Sequence, residues 1–310
     1  MAAQNEVSGN VGHFVGPSWL ADNREDAVVL DARDPERFRE QRIYRARRVP
    51  FDAITARKST DEGAVPDTDA IADAFGEIGL TPDDDVLVYG ASVGSRVTRV
   101  AFALAAVGHE GLSASSTAGS PPGTVASGRG RGTASRRPTT SRTPRRRRGS
   151  PASGWPTGSG RSNADGPGLV DVRVPEAYLA AAGSDVLNED HDRHGHLPGA
   201  IDVHWVGNVD GRRMTDPGRL VQLYEVEGEL DRSETVVVYG DDNVDPTSTW
   251  LTLKAIGFED VRLYDGGFGE WANVQGDRGR YPVETATNVV VETDGSVGGD
   301  DGGGDFSCTG

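Results

Sequence analysis

The stretch "ETVVVYGDDNVDPTSTWLTLKAIGFEDVRLYDGGFGEWA", residues 234–272, alternates strand-like and helix-like patterns. An apolar run over 236–239 leads into a polar loop, a helical pattern follows and stops at Gly257, and a second apolar run precedes a Gly-Gly pair. A glycine just after the last helical residue is a common helix stop. Strands that alternate with helices predict a mainly parallel sheet covered by helices, with ligands at the carboxyl ends of the strands.

The pattern occurs twice in the chain. The stretch "VLDARDPERF" (29–38) matches "LVDVRVPEAY" (169–178), and "DDDVLVYGASVGSRVTRVAFALAAVGHE" (83–110) matches "SETVVVYGDDNVDPTSTWLTLKAIGFED" (233–260). A repeat of this kind indicates two copies of one structural unit. In the first copy the helix should bury one face, formed by Val97, Val100, Ala101 and Leu104.

Residues 164–285 resemble a rhodanese domain through "LVDVRVPEAY", "HGHLPGAIDVHW" (194–205), "VVVYG" and "VRLYDGGFGEW" (261–271). Residues 14–112 match more loosely, since "QRIYRARRVPF" (41–51) stands where the family has a Gly-His-x-Pro-Gly turn. The pair resembles a tandem rhodanese of the thiosulfate or 3-mercaptopyruvate sulfurtransferase class. The resemblance implies an α/β fold of two rhodanese-like domains, each a mainly parallel five-stranded sheet flanked by helices, and no cofactor.

The resemblance also implies a reaction. In the family, a loop cysteine takes sulfane sulfur from a small anionic donor, holds it as a persulfide and passes it to a thiol or to cyanide. Backbone N–H groups at a helix N-terminus suit such an anion. In the second copy the cysteine's place falls on Gly240, and the rest of the loop is Asp241, Asp242, Asn243, Val244 and Asp245. In the first copy it falls on Gly90, in a degenerate loop that includes Ser92, Gly94 and Arg96.

Neither loop therefore contains a sulfur nucleophile, and carboxylates beside the second one raise a thiol pKa and repel an anionic donor. The chain's one cysteine, Cys308, is a candidate persulfide carrier in a Gly- and Asp-rich flexible tail, 286–310; an idle exposed thiol is the alternative. The first functional hypothesis is a sulfurtransferase-family protein of doubtful activity. The second is a non-catalytic rhodanese-like binding or regulatory module.

Charge and composition narrow the possible partners. The net charge is −16 and the only lysines are Lys58 and Lys254. We interpret this acidity as an adaptation to a salty cytoplasm, with a generic acidic surface as the alternative. It makes nucleic acid an unlikely partner. Because no apolar run approaches about 18 residues and the start lacks a signal-peptide pattern, we expect a cytoplasmic protein without a membrane partner.

Residues 113–163 differ from the rest of the chain. They contain ten arginines and no lysine, aspartate or glutamate. A disordered basic linker is one interpretation. The other is a frameshift product, because a shifted reading of the codons for 116–123 permits the Asp-Gly-Gly-Phe-x-x-Trp pattern that the first copy lacks. The frameshift hypothesis predicts a first domain without its last strand and closing helix, followed by a disordered segment.

Two further patterns suggest ion sites, and we expect neither. The cluster His191, His194 and His196 has metal-like spacing, but His196 belongs to the turn that the family resemblance explains. The loop "DDNVD" opens like a calcium loop, but Pro246 stands where that loop needs glycine. We therefore predict no metal site. Asp171 and Arg173 are expected to form a structural pair.

Overall fold

The computed structural model describes residues 13–14, 27–60, 63–109, 112–115, 124–127, 166–181, 185–275 and 278–285. Cys308 and the tail 286–310 lie outside the described residues, as does most of 113–163. We call residues 13–127 the first half and residues 166–285 the second half.

The first half alternates strands and helices. Its strands are β1 (His13–Phe14), β2 (Ala27–Asp31), β3 (Arg47–Arg48), β4 (Arg57–Thr60), β5 (Gly63–Pro66), β6 (Asp85–Tyr89), β7 (Leu112–Ser115) and β8 (Thr124–Ser127). Its helices are α1 (Pro35–Glu40), α2 (Phe51–Thr55), α3 (Thr68–Glu77) and α4 (Ser95–Ala106). The predicted face of α4 is buried, since Val97, Val100, Ala101 and Leu104 are each at most 1% exposed.

The second half repeats this order. Its strands are β9 (Gly168–Asp171), β10 (Ala200–Asp202), β11 (Val209–Asp210), β12 (Arg213–Met214), β13 (Thr235–Tyr239) and β14 (Asp260–Leu263). Its helices are α5 (Pro175–Tyr178), α6 (Pro217–Val221), which continues as a π-helical turn (Gln222–Glu227), α7 (Pro246–Ala255) and α8 (Gly267–Ala272). Three of these helices begin with proline, which fits a first turn because its missing N–H needs no partner there.

The two larger sheets of the described residues confirm the α/β class but not the expected strand number; β4 pairs with β5 and β11 with β12 in two small sheets. The second sheet has four parallel strands in the order β10-β9-β13-β14. The first sheet has six, in the order β1-β8-β6-β2-β3, with β7 paired to β8. Five strands per sheet is therefore wrong for the described residues. The first sheet is larger because antiparallel strands are added on the free side of β6.

The strand beside β6 marks the main difference between the halves. In the second half β14 runs parallel to β13, whereas in the first half β8 runs antiparallel to β6. Strand β8 and all but the first residue of β7 fall within 113–163.

Equivalent hydrogen bonds stabilise the same strand end within each copy. Asp31 receives the N–H of Arg33 at 2.9 Å and its guanidinium at 2.7 Å; Asp171 receives the same groups of Arg173 at 3.0 and 2.7 Å. The strand-end tyrosines Tyr89 and Tyr239 accept the N–H of Ile43 and Leu197 at 3.2 and 3.0 Å. The expected Asp171–Arg173 structural pair is present.

The divergent turn of the first copy keeps the backbone shape of its counterpart. Arg45 stands at the place of Gly199, and both residues are left-handed, with φ of 64° and 76°. The same backbone bond closes both turns at 3.0 Å, from Ala46 to Ile43 and from Ala200 to Leu197. Left-handed backbone is costly for a side chain with a Cβ. Arg45 therefore holds a strained conformation that the rest of the first copy imposes.

One hydrophobic core crosses from the first half to the second. A single cluster of buried side chains contains residues of both sheets and of both long helices, α4 and α7. Between these helices the rings of Phe102 and Trp250 meet edge-on at 5.2 Å, and the hydroxyls of Thr98 and Thr247 lie 2.9 Å apart. The two halves therefore share a buried boundary on which both loops lie.

Candidate functional site

The second-half loop, Gly240–Asp245, joins the carboxyl end of β13 to α7. Its shape comes from its own residues: the Asp242 carboxylate accepts the N–H groups of Val244 and Asp245 at 2.9 and 3.1 Å. This is a common local use of aspartate ahead of a helix. The Gly240 carbonyl accepts the N–H of Phe268 at 2.7 Å, which fixes the loop against α8.

An ion pair within the chain involves Asp241, the second residue of this loop. An Asp241 carboxylate oxygen lies 3.4 Å from Arg173 Nη1 and 3.9 Å from His191 Nε2. Burial raises the pKa of Asp241 and lowers the pKa of His191. Because Asp171 binds the other side of the same guanidinium, Arg173 has carboxylate partners on both sides without any ligand.

Space at Gly240 is restricted as well. A Cβ added there would lie 3.0 Å from Pro246 Cγ and 3.1 Å from Val172 Cγ2. These contacts are tighter than ordinary packing, so a side chain at this place requires its neighbours to shift by a few tenths of an ångström. The loop therefore contains no cysteine, and the position of Gly240 is crowded.

The first half holds the second-half loop in place. Arg99, on α4, donates from Nη1 to the Asn243 carbonyl at 3.0 Å, and the Asn243 amide donates to the Thr55 carbonyl at 3.2 Å. Arg99 is fully buried, and its other nitrogens bond the Ile54 carbonyl at 2.9 and 3.2 Å. This contact could not be predicted from the sequence, because an arginine in a helix pattern is usually exposed.

A buried carboxylate completes this boundary. Asp265 is 8% exposed, and its carboxylate lies 3.5 Å from Arg99 Nη1 and 3.9 Å from Arg57 Nε. Neither carboxylate oxygen has a hydrogen-bond partner among the described residues. Burial raises the pKa of Asp265. The Arg99–Asp265 pair is thus an ion pair between the halves that relies on charge rather than on hydrogen bonds.

The first-half loop, Gly90–Ser95, occupies the equivalent place before α4. A Cβ at Gly90 would lie 2.4 Å from Val97 Cγ2, so this place is blocked more firmly than Gly240. Here the second half supplies the support, since the Val93 N–H donates to the Arg212 carbonyl at 3.2 Å. The candidate residues Ser92, Gly94 and Arg96 all line a cleft beside this loop.

The remaining candidates do not gather into a metal site. The His196 ring stacks on Tyr178 at 3.7 Å between centroids, whereas His191 lies against Phe268 and near Asp241. Within the described ranges, no three metal-binding side chains stand close enough to hold an ion. Cys308 lies outside the described residues. The helices that the structure describes include none long and apolar enough to span a membrane.

Comparison with curated proteins points to one class. This chain is 35% identical over 126 residues to a thiosulfate sulfurtransferase of Corynebacterium glutamicum. The matched residues make up 39% of this chain and 39% of that protein. A putative thiosulfate sulfurtransferase of Haloferax volcanii is 34% identical over 114 residues, 35% of this chain and 38% of that one. The matched part thus spans about two fifths of the length of these relatives.

Solved structures share the fold across most of the chain. A probable thiosulfate sulfurtransferase superposes with a TM-score of 0.52 at 22% identity and covers 84% of this chain and 98% of its own. The 3-mercaptopyruvate sulfurtransferase from Leishmania major has a TM-score of 0.57 at 16% identity and covers 86% of this chain and 75% of its own.

The family comparison covers both halves. The rhodanese-like domain family matches residues 16–116 and again residues 159–274. The two matches include both loops and both strand-end Asp–Arg pairs. This chain therefore belongs to the rhodanese family, as a tandem of two rhodanese-like domains.

Proposed function

We propose that this protein acts on a small anionic sulfur donor of the thiosulfate class, and that any sulfur it carries is carried by Cys308 and not by its loops. The acceptor in this proposal is a thiol or cyanide. The names of the curated relatives support the donor class. The acid-rich composition supports a salty cytoplasm as the working environment.

One observation carries the second part of the proposal. At the place of the family's cysteine stands Gly240, and the adjoining Asp241 carboxylate is already paired with Arg173 at 3.4 Å. A persulfide needs a sulfur atom, which this loop does not contain, and the guanidinium beside the loop is already paired with a carboxylate. Gly90, at the equivalent place in the first half, is blocked by Val97.

The experiment combines turnover with mass mapping. The full chain is incubated with thiosulfate and then with cyanide at high KCl, thiocyanate is measured, and peptides are weighed before and after the donor is added. We expect one additional sulfur on the peptide that contains Cys308, and no turnover in Cys308→Ser. Turnover that survives in Cys308→Ser would contradict the proposal.

The second candidate function is a non-catalytic binding or regulatory module. It is favoured by the way both loops are tied into the boundary between the halves, through Arg99 to Asn243 and through Val93 to Arg212. The two candidates separate in the same assay. An unmodified Cys308 together with no thiocyanate supports the binding module.

A cysteine placed in the second-half loop tests the effect of Asp241 on turnover. Gly240→Cys alone should give little turnover, because Asp241 still neutralises Arg173. Gly240→Cys combined with Asp241→Gly frees that guanidinium and should raise turnover about tenfold over the single variant. The matched control is Gly240→Cys with Asp185→Gly, which removes an exposed acid from a turn. Equal turnover in both double variants would show that Asp241 is not the cause.

A further inference from the structure

A cleft of about 270 Å³ opens beside the first-half loop. We call it the first-loop cleft. The second half contributes Trp205 to it, so it lies where the two halves meet. Its lining residues are Ala32, Arg33, Asp34, Arg37, Gly90, Ala91, Ser92, Gly94, Ser95, Arg96, Val97 and Trp205.

Three guanidinium groups line the cleft, and they are held to different degrees. Arg33 is fixed by Asp31 through contacts of 2.7 to 3.2 Å. Arg37 lies 3.5 Å from Asp34, with both side chains more than half exposed. Arg96 has no carboxylate within 4.0 Å in the described part of the chain. The charges of Asp34 and Asp52 act on Arg96 from beyond ion-pair distance, so Arg96 is the one of the three cations without a closely paired carboxylate.

Arg96 is placed rather than mobile. Its Nε donates to the Ala32 carbonyl at 2.9 Å, and the guanidinium lies over the Phe51 ring at 3.7 Å from the centroid. In the described part of the chain these contacts engage Nε and one face of the guanidinium, so its terminal nitrogens can bind another partner. Pre-positioned guanidinium groups bind oxyanions well because no further ordering is needed.

The second half shows what occupies the equivalent place. There Arg173, the counterpart of Arg33, binds an anionic oxygen of Asp241 with Nη1. The counterpart of Asp241 in the first half is Ala91, whose methyl group cannot do this. The same guanidinium position therefore has an internal anion in one half and an open cleft in the other.

We propose that the first-loop cleft binds a small tetrahedral oxyanion, of the sulfate, thiosulfate or phosphate kind, on Arg33 and Arg96. The site is distinct from the second-half loop. It does not depend on sulfur transfer, since its ligand is held by charge and hydrogen bonds only.

Calorimetric titration of the full chain tests this at fixed ionic strength, with sulfate, thiosulfate and phosphate each replacing chloride. We expect saturable binding of one anion. Arg96→Gln should weaken it about tenfold or more, because a charge-assisted contact is lost. Ala91→Asp should weaken it similarly by giving the first half the internal carboxylate of the second. Arg39→Gln, an exposed arginine outside the cleft, should stay within about twofold.

A second readout locates the ligand. Binding should change tryptophan fluorescence, and Trp205→Phe should remove that change while the heat of binding remains. No saturable binding to the unaltered chain, or equal weakening by Arg39→Gln and Arg96→Gln, overturns the proposal. Sulfate binding without any thiocyanate formation would leave this site standing and count only against sulfur transfer.

Discussion

The first-half and second-half loops have the same place in the fold, but only in the second half does a carboxylate of the loop pair with the neighbouring arginine. In the second half the Asp241 carboxylate is paired with the Arg173 guanidinium. In the first half Ala91 leaves the equivalent position open beside Arg33 and Arg96. The strand-end Asp–Arg pair and the tyrosine behind it are the same in both. The two copies thus keep the same structural contacts. The side chain at the position of Ala91 and Asp241 determines whether a carboxylate of the chain itself pairs with the neighbouring arginine.

The largest expected effect concerns the contact between the halves. Arg99 and Thr249 have the same place on α4 and α7, but Arg99 is a buried cation paired with Asp265. Arg99→Met should lower the free energy of unfolding by about 3–5 kcal/mol, because a buried carboxylate loses its nearest partner. Thr249→Val removes the 2.8 Å bond from Asn208 and the 3.5 Å bond from the Tyr224 hydroxyl, and should cost about 1 kcal/mol. Denaturant unfolding at high KCl measures both.

A double variant sharpens this prediction. If the ion pair explains the loss of stability in Arg99→Met, Asp265→Asn should lower the free energy of unfolding less in the Arg99→Met background than in the unaltered protein. Equal costs in the two backgrounds would mean that the pair contributes nothing, and that Arg99 acts only through the Ile54 and Asn243 carbonyls.

The next largest effect concerns Gly90 and Gly240, the two glycines at the place of the family's cysteine. Gly90→Ala should destabilise by about 1–3 kcal/mol, since its new methyl group meets the stiff side chain of Val97 at 2.4 Å. Gly240→Ala should cost less, because its nearest contact is 3.0 Å. Thermal melting of the two variants side by side gives the order. A larger loss for Gly240→Ala would contradict the crowding described for the two loops.

A pH effect distinguishes a third pair of equivalent residues. Arg48 is exposed, whereas its counterpart Asp202 is 1% exposed with no hydrogen-bond partner among the described residues for either carboxylate oxygen. Burial, with Asp171 close by, raises the pKa of Asp202 to about 7. Because the folded state binds this proton more tightly than the unfolded state, Asp202 stabilises the folded protein at low pH. That stability is lost as the pH rises from about 4 through about 7.

Asp202→Asn should therefore be more stable than the unaltered protein at pH 8, by about 1–2 kcal/mol, with the gain shrinking toward pH 4. Melting curves at several pH values measure this gain. Arg48→Gln serves as the control, and its difference from the unaltered protein should not vary over this range. A pH-independent effect of Asp202→Asn would show that Asp202 does not titrate there.

The smallest effect concerns the divergent turn. Arg45→Gly should stabilise the protein by about 0.5–1 kcal/mol, because glycine adopts the left-handed backbone without strain. Gly199→Ala makes the opposite change in the second half and should destabilise by a similar amount. Thermal melting compares them, and a loss of stability in Arg45→Gly would mean that the Arg45 side chain contributes more than its backbone costs.

Much of the scaffold could be predicted from the sequence. The repeat and the period of the apolar residues gave the strands, the loops and the buried face of α4, since these depend on local pattern. The contact of Arg99 with Asn243 could not be predicted, because it joins residues 144 positions apart. The left-handed Arg45 could not be predicted either, since its conformation is imposed by the surrounding turn.

The strands within 113–163 show another limit of pattern reasoning. Their composition predicts disorder, but β8 pairs with β6 through backbone bonds that need no particular side chains. The frameshift hypothesis stays a prediction, and resequencing the gene tests it. An intact reading frame would make this antiparallel strand an evolved feature of the first half.

The reciprocal ties between the loops have a consequence for folding. Each half completes the loop of the other, and one apolar core runs through both. The tandem should therefore unfold as one cooperative unit, with fluorescence and circular dichroism reporting a single midpoint. The first half is then an obligatory folding partner of the second, so selection on either loop preserves both copies.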